Sequence, residues 1–357
     1  MVLRLWIHHA VKTSSLMKRI IIGKICFLFL LACGEVYGGT RTFEFDYRVS
    51  IPAVPQGKGP MHVFIPLAAG DERQTIKSRR ISVTPDLKWG IGAERVYGNS
   101  FLHISRQTSS GAAIEILIRY LVERGEFSAD VSKWNGASYS DLEKRRYALF
   151  LAANRRVPVD GDVIGPIARD IAPGEKALPV IARSIYDYVI DNMEYKKVGS
   201  GWGNGDTFWA CSEKYGNCTD FHALFISLAR NRGIPARFSI GFPVPPDKPE
   251  GTIDGYHCWV DFYLPHAGWV PIDASEAWKH PQQRDLYFGT HPADRIHFTT
   301  GRDLELGEGH TTGPLNYFIY PHVEAGGKLF DGFKVQFRYR EVGDLGKEKV
   351  LPTRTPG

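Results

Sequence analysis

Three residues of the types that thiol chemistry requires occur in the order Cys218, His257 and Asp273. A thiolate can attack a carbonyl, an imidazole can take and return the proton, and a carboxylate can fix the imidazole's tautomer. Whether they can act together depends on the elements that carry them. In EKYGNCTDFHALFISLARNRGIPAR, from residue 213, Phe221, Leu224, Phe225 and Leu228 recur at i, i+3, i+4 and i+7. That spacing predicts a helix with one apolar stripe. Asn217 suits its N-cap, and Asp220 stands three residues on, in a position resembling a capping box. Cys218 then falls in the first turn, where unpaired N–H groups and the helix dipole favour a thiolate over a thiol. A cysteine alone is more often a small buried apolar residue, so the position is what makes Cys218 a candidate nucleophile. Arg230, Arg232 and Gly233 mark the helix end, and IPARFSIGF after it reads as a strand.

The second segment is GYHCWVDFYLPHAGWVPIDASE, from residue 255. Runs from His257 to Leu264 and from Trp269 to Asp273 alternate around the turn PHAG, which predicts a β-hairpin. His257 and Asp273 sit near its open ends, where antiparallel pairing can bring their side chains together. His257 would serve as base and then acid, with Asp273 orienting the ring. Of the neighbours, His222 reads as structural, Asp220 as a cap whose charge opposes ionisation of Cys218, and Arg237 as an ion-pair partner. Zinc is the competing use for Cys211, Cys218, His222, His257 and Cys258, but no pair has the C-x-x-C spacing of a metal knuckle. The reading therefore carries no metal and no cofactor.

GNCTDFHALFISLARNRGIPAR followed by GYHCWVDFYLPHAGWVPIDAS is similar to the core of the transglutaminase-like superfamily, over about residues 178 to 275. GRDLELG and PLNYFIYPHVE extend the likeness, which resembles a bacterial exported subgroup. The resemblance implies a fold like that of papain-like cysteine proteases. It also implies amide transfer, peptide or amide hydrolysis, or in some members no catalysis. A non-catalytic binding or scaffold protein of the cell envelope is therefore the alternative to a thiol enzyme, although an intact Cys, His, Asp set argues against it. Hydrolysis is slightly favoured, since nothing reads as an amine-binding site or a calcium loop. The substrate would be a peptide, a protein or a peptidoglycan peptide. For the oxyanion, the N–H of Cys218 is a natural first donor. The family often adds a tryptophan ahead of the cysteine, which makes Trp202 and Trp209 candidates here, either as donors or as cleft walls.

The remaining chain supplies the scaffold. From Arg41 to about Phe127, FEFDYRVS, MHVFIPL, ISVTP, SFLHIS and AAIEILIRYLV are short alternating runs between Gly, Pro and Asn clusters, which predicts an all-β, sandwich-like domain over 39–127. A connecting segment over 128–172 holds a short helix near DLEKRRYALFLAA. The α+β catalytic domain is expected over 173–345, with a helix in KALPVIARSIYDYVIDNMEY, Pro179 in its first turn, and a glycine-rich loop in VGSGWGNGDTFWAC. Tyr317–Val323 and Phe333–Tyr339 would extend the hairpin's sheet, and 346–357 would be a disordered tail.

Met17 begins a basic, apolar and small-residue order, MKRIIIGKICFLFLLACGEVYGG, which predicts an export signal over 1–38 and a true start at Met17. Its apolar run is too short for a spanning helix. LLACG resembles a lipobox, making Cys33 a possible lipid anchor; cleavage after Gly38 is the equal alternative. The product would be periplasmic, or membrane-bound only through that anchor. An oxidising compartment would allow Cys211 and Cys258 to form a disulfide, or they are buried thiols. The 357 residues carry a formal net charge of +5 with basic and acidic residues interspersed, so nothing suggests a nucleic-acid surface.

Overall fold

The computed structural model describes residues 39–54, 59–109 and 111–343. The predicted export signal, with Cys33, and the expected C-terminal tail lie outside the described residues. Six strands come first: β1 (Thr40–Ile51), β2 (Met61–Pro66), β3 (Gln74–Val83), β4 (Lys88–Ala93), β5 (Ser100–Arg106) and β6 (Ile114–Gly125). Their sequences alternate as a half-buried strand should. In IEILIRYLVERG of β6, every second residue from Ile114 is buried and the intervening ones are exposed or half-buried. Helices α1 (Asp141–Arg146), α2 (Ile164–Asp170), α3 (Leu178–Asn192), α4 (Thr207–Glu213) and α5 (Cys218–Asn231) follow. Then come β7 (Ala236–Pro243), β8 (Glu250–Ile253), β9 (His257–Leu264), β10 (Gly268–Ile272), helix α6 (Ala274–Lys279), β11 (Arg295–Thr300), β12 (His322–Ala325), β13 (Lys328–Leu329) and β14 (Lys334–Glu341). The fold is thus α+β, with β-sheets first and a helix-bearing core after them.

The strands assemble as three main antiparallel sheets, ordered β8-β14-β1-β6-β3, β13-β12-β2-β5-β4 and β10-β9-β7-β11. The third is the sheet of the predicted hairpin. Here the structure corrects one expectation. The C-terminal runs do not extend the hairpin's sheet: β14 pairs along β1, from Phe43 opposite Glu341 to Ser50 opposite Lys334, and β12 pairs with β2. Both therefore complete N-terminal sheets, and the described residues from Gly39 onward pack as one compact unit. The edge next to β7 is taken by β11, a strand that the sequence reading left unassigned. β7 and β11 approach so closely that a Cβ on Gly241 would lie 1.8 Å from the carbonyl oxygen of Ile296, at the position where their register shifts. Only glycine fits there. Aromatic rings lock the first sheet onto the third: Phe45 lies 5.5 Å from Phe242 and 5.7 Å from Phe298, between ring centroids.

Helix α5 starts at Cys218, and its apolar stripe is buried as the spacing predicts. Each of Phe221, Leu224, Phe225 and Leu228 contributes about 1.5–3 kcal/mol by leaving water. The burial is wider than one stripe, however, because α3, α4, α6 and β9 surround the helix and every residue from Cys218 to Arg230 is buried. Its polar residues must then find partners inside the protein. Ser227 Oγ pairs with Thr207 Oγ1 at 2.8 Å, and Arg230 donates to the carbonyls of Ala236 and Ala152. Among the described residues no helix is long and apolar enough to cross a membrane.

Candidate active site

The N-terminus of α5 is built as its sequence suggests. Asn217 Oδ1 accepts from the N–H of Thr219 at 2.9 Å, and the carboxylate of Asp220 returns to the N–H of Asn217 at 3.0 Å. Asp220 does more than cap. Its two oxygens also accept from the N–H groups of Gly203 at 2.7 Å and Gly205 at 2.9 Å, so one carboxylate holds the glycine-rich loop against the helix start. A Cβ on Gly216 would lie 2.3 Å from Asp220 Oδ2, so this packing also requires glycine there. Buried Arg302 fastens the loop from its other side through the carbonyls of Gly205 at 2.7 Å and Asn204 at 3.0 Å.

Cys218, His257 and Asp273 come together at this end of the helix, all three buried. The Cys218 thiol has His257 and Cys258 as neighbours, both near enough to act on its ionisation. His257 Nε2 lies 2.6 Å from Asp273 Oδ2, which leaves Nδ1 as the nitrogen for the sulfur. Asp273 is not a ladder residue of the hairpin, whose pairing ends at Val260 opposite Ile272. It is the N-cap of α6, with Oδ1 accepting from the N–H of Glu276 and from Ser275 Oγ, both at 3.0 Å. The cap and the orienting carboxylate are thus one residue using different oxygens. Arg295 of β11 donates to Oδ2 at 2.9 Å and fixes the carboxylate from the far side.

These contacts set the charges. Contact with the Cys258 thiol, then hydrogen bonding and the positive charge of His257, hold the Cys218 thiol well below its ordinary range against the opposing effect of burial. Burial disfavours a charged His257, but the Asp273 carboxylate and the Cys218 sulfur outweigh it and raise the imidazole's pKa. Burial would likewise keep Asp273 protonated, and His257 and Arg295 reverse that. The arrangement favours a thiolate beside an imidazolium.

Three residues of this cluster, His222, Cys258 and Arg295, were not given catalytic roles by sequence. His222 Nε2 accepts from the N–H of Ala274 at 3.2 Å, so its proton sits on Nδ1, 3.4 Å from Cys258 Sγ. Burial lowers the pKa of His222 to about 4 and keeps it neutral. With His222 donating to its sulfur, Cys258 can turn its own S–H toward Cys218. The signal for His222 was its place one turn after Cys218 on the same helix face; for Arg295 and Cys258 local sequence offered none. Asp220 is confirmed as a cap, and Arg237 pairs with Asp261 at 3.1 Å.

Of the two alternatives for Cys211 and Cys258, the structure has free thiols: Cys258 is buried beside His222, whereas Cys211 is half-buried on α4 beside Trp209 and Phe208 in a separate surface cleft. The indoles of Trp202 and Trp209 are not available as oxyanion donors, because their N–H groups bond the carbonyls of Gly199 at 3.1 Å and Tyr215 at 2.9 Å. Elsewhere, His310, His322 and Glu324 bring ligand-type atoms within 4.8 Å of one another. Thr311 and Thr312 saturate Glu324, and the N–H of Leu306 occupies His310 Nδ1, so the group anchors the loop at 307–313.

A cleft of about 270 Å³ opens at His257, lined by Tyr195, Pro243, Tyr256, Glu276, Lys279 and Asp294 together with Arg295. Residues 166–274 match the core of the transglutaminase-like superfamily, and this segment of the chain is such a core. The structure as a whole is similar in fold to a candidate cysteine protease from Cytophaga hutchinsonii, with a TM-score of 0.58 and 16% identity over 84% of this chain and 90% of that one. An uncharacterized protein of Haemophilus influenzae is 25% identical over 354 residues, 86% of this chain and 91% of that protein. YebA of Bacillus subtilis is 32% identical over 79 residues, which are 20% of this chain but 11% of YebA.

Proposed function

We propose that the protein is an exported thiol enzyme that acts on amide or peptide bonds through an acyl-enzyme. The observation that carries this is the junction at the start of α5: a buried cysteine in the first helical turn beside an imidazole whose far nitrogen is held 2.6 Å from a buried carboxylate. Cys218 Sγ attacks the carbonyl carbon, forming the S–C bond as the C=O pair moves onto oxygen. The tetrahedral species collapses, the C–N bond breaks, and the leaving amine takes a proton from His257 Nδ1. Water or a second amine, deprotonated by the now neutral His257, then attacks the thioester and releases Cys218. Asp273 stays ionised throughout and keeps the ring in the tautomer that presents Nδ1 to sulfur.

Hydrolysis is the favoured outcome, because the cleft at His257 is lined by charged and hydroxyl-bearing groups suited to admitting water. The test is incubation with a peptide library, acid quench and mass spectrometry of the Cys218 peptide. A thioester on Cys218 in the wild type, absent in Cys218→Ala, supports the reading and names the acyl donor; free-acid products mark hydrolysis and amine adducts mark transfer. An unmodified Cys218 that is also inert to iodoacetamide would sink it in favour of a scaffold protein. Export rests on the residues from Met17 to Gly38. Fractionation and mass determination of the mature N-terminus should find either a lipidated Cys33 or a free Gly39, and an unprocessed cytoplasmic chain would refute export.

A further inference from the structure

With both tryptophans committed to backbone carbonyls, the tetrahedral oxygen needs another donor beside the N–H of Cys218. The residue before the imidazole meets the requirements. Tyr256 lines the cleft with His257 and stands half-buried, its ring braced by Tyr317 at 5.6 Å and Tyr320 at 5.9 Å between centroids. Its hydroxyl sits at the start of α5, because Asn217 Nδ2 donates to it at 3.1 Å. That direction is forced: Asn217 Oδ1 is already used by Thr219, so the amide can present only its N–H to the tyrosine. The phenol oxygen therefore accepts, and its own proton must be given elsewhere. Among the described residues its hydrogen-bond partner for that proton is Tyr317 Oη at 3.5 Å, well beyond the length of a good O–H···O bond. Tyr317 cannot return the favour, since its proton goes to the carbonyl of Gly203 at 3.0 Å. Tyr256 is thus left with a poorly used proton beside the first turn of α5.

We propose that Tyr256 is a catalytic residue, donating its phenolic proton in a hydrogen bond to the oxyanion that forms when Cys218 attacks. This rests on the thiol-enzyme reading above. No proton is transferred: the O–H bond persists while the carbonyl π pair moves onto oxygen, and the hydrogen bond weakens again when the C=O re-forms. Burial holds the phenol well above its usual pKa, so it remains a neutral donor throughout the working range. The bond from Asn217 polarises the hydroxyl and makes it a better donor.

The experiment compares two reactions of the same sulfur in the full chain. Acetylation by p-nitrophenyl acetate passes through a tetrahedral oxyanion; alkylation by iodoacetamide displaces iodide at carbon and forms none. Tyr256→Phe should slow the Cys218-dependent burst of p-nitrophenolate by about 10²-fold or more, as loss of one oxyanion donor does. Its iodoacetamide rate and pH profile should stay within about twofold of wild type, a result that a loosened or misfolded site could not give. If the wild type acetylates Cys218 and Tyr256→Phe does so equally fast, or if both reactions fall together, the donor assignment fails while the thiol-enzyme reading stands. If the wild type shows no burst beyond Cys218→Ala, the thiol-enzyme reading itself fails and takes this assignment with it.

Discussion

Replacing Asp273 by Asn tests the site most sharply, because the geometry dictates what the new amide must do. Oδ1 caps α6 by accepting from the N–H of Glu276, and asparagine can keep that bond. Its Nδ2 must then occupy the place of Oδ2, which faces His257 Nε2 at 2.6 Å and Arg295 Nη1 at 2.9 Å. A donor there can bond the imidazole only if Nε2 gives up its proton. His257 becomes the Nδ1–H tautomer, points a proton at Cys218 and can no longer accept one. Losing a hydrogen bond to a charged group costs about 1.5–3 kcal/mol, which is roughly 10- to 150-fold in thiolate population. Among the described residues Arg295 then keeps Asp294 as its one ion-pair partner, and breaking a buried pair costs about 3–5 kcal/mol, so stability should fall by about 3 kcal/mol. The assay is the iodoacetamide rate at Cys218 across pH, read by mass spectrometry, beside urea unfolding of the same variant. A folded Asp273→Asn with wild-type rate and midpoint would refute the assigned tautomer and the role of the carboxylate.

The other predictions follow from single contacts. Cys258→Ala should raise the apparent pKa of Cys218 and slow its alkylation near neutral pH by about tenfold or more, with Cys258→Ser restoring part of the rate; equal rates in all three would remove Cys258 from the site. In the wild type, the lowered Cys218 pKa means that the thiolate survives as pH falls below the ordinary thiol range and is lost only on passing the lowered value. The raised pKa of His257 means that acylation should decline on the alkaline side only as pH rises through that raised value; an alkylation midpoint near the ordinary thiol value of about 8.5 would contradict the pair. Asp220→Ala leaves the N–H groups of Gly203, Gly205 and Asn217 without their acceptor, and should cost about 3 kcal/mol or more in urea unfolding, where a loss under about 1 kcal/mol would show that the loop is held by other contacts.

Much of the site was legible because it is written in local patterns. The stripe from Phe221 to Leu228 and the Asn217/Asp220 cap fix α5 and put Cys218 in its first turn, and alternation on both sides of PHAG fixes the β9–β10 hairpin. Helix and strand periods, caps and turns are properties of a few neighbouring residues, so they survive without any tertiary context. The resemblance of these segments to a transglutaminase-like core reflects the same local signals.

Tertiary structure decided whatever depends on residues distant in sequence. That β12 and β14 complete the first two sheets rather than the third could not be read from their alternation, because period 2 says that a strand has a buried face but not which partner covers it. Cys258 and Cys211 carry the same thiol, and only packing sends one to Cys218 and the other to a surface cleft. Trp202 and Trp209 stand where the family often supplies a donor, yet their N–H groups were captured by carbonyls three and six residues away once the glycine-rich loop folded on Asp220. Hydrogen-bond capacity is a residue property, but its use is settled by which acceptor lies within about 3 Å, and only the folded chain fixes that distance.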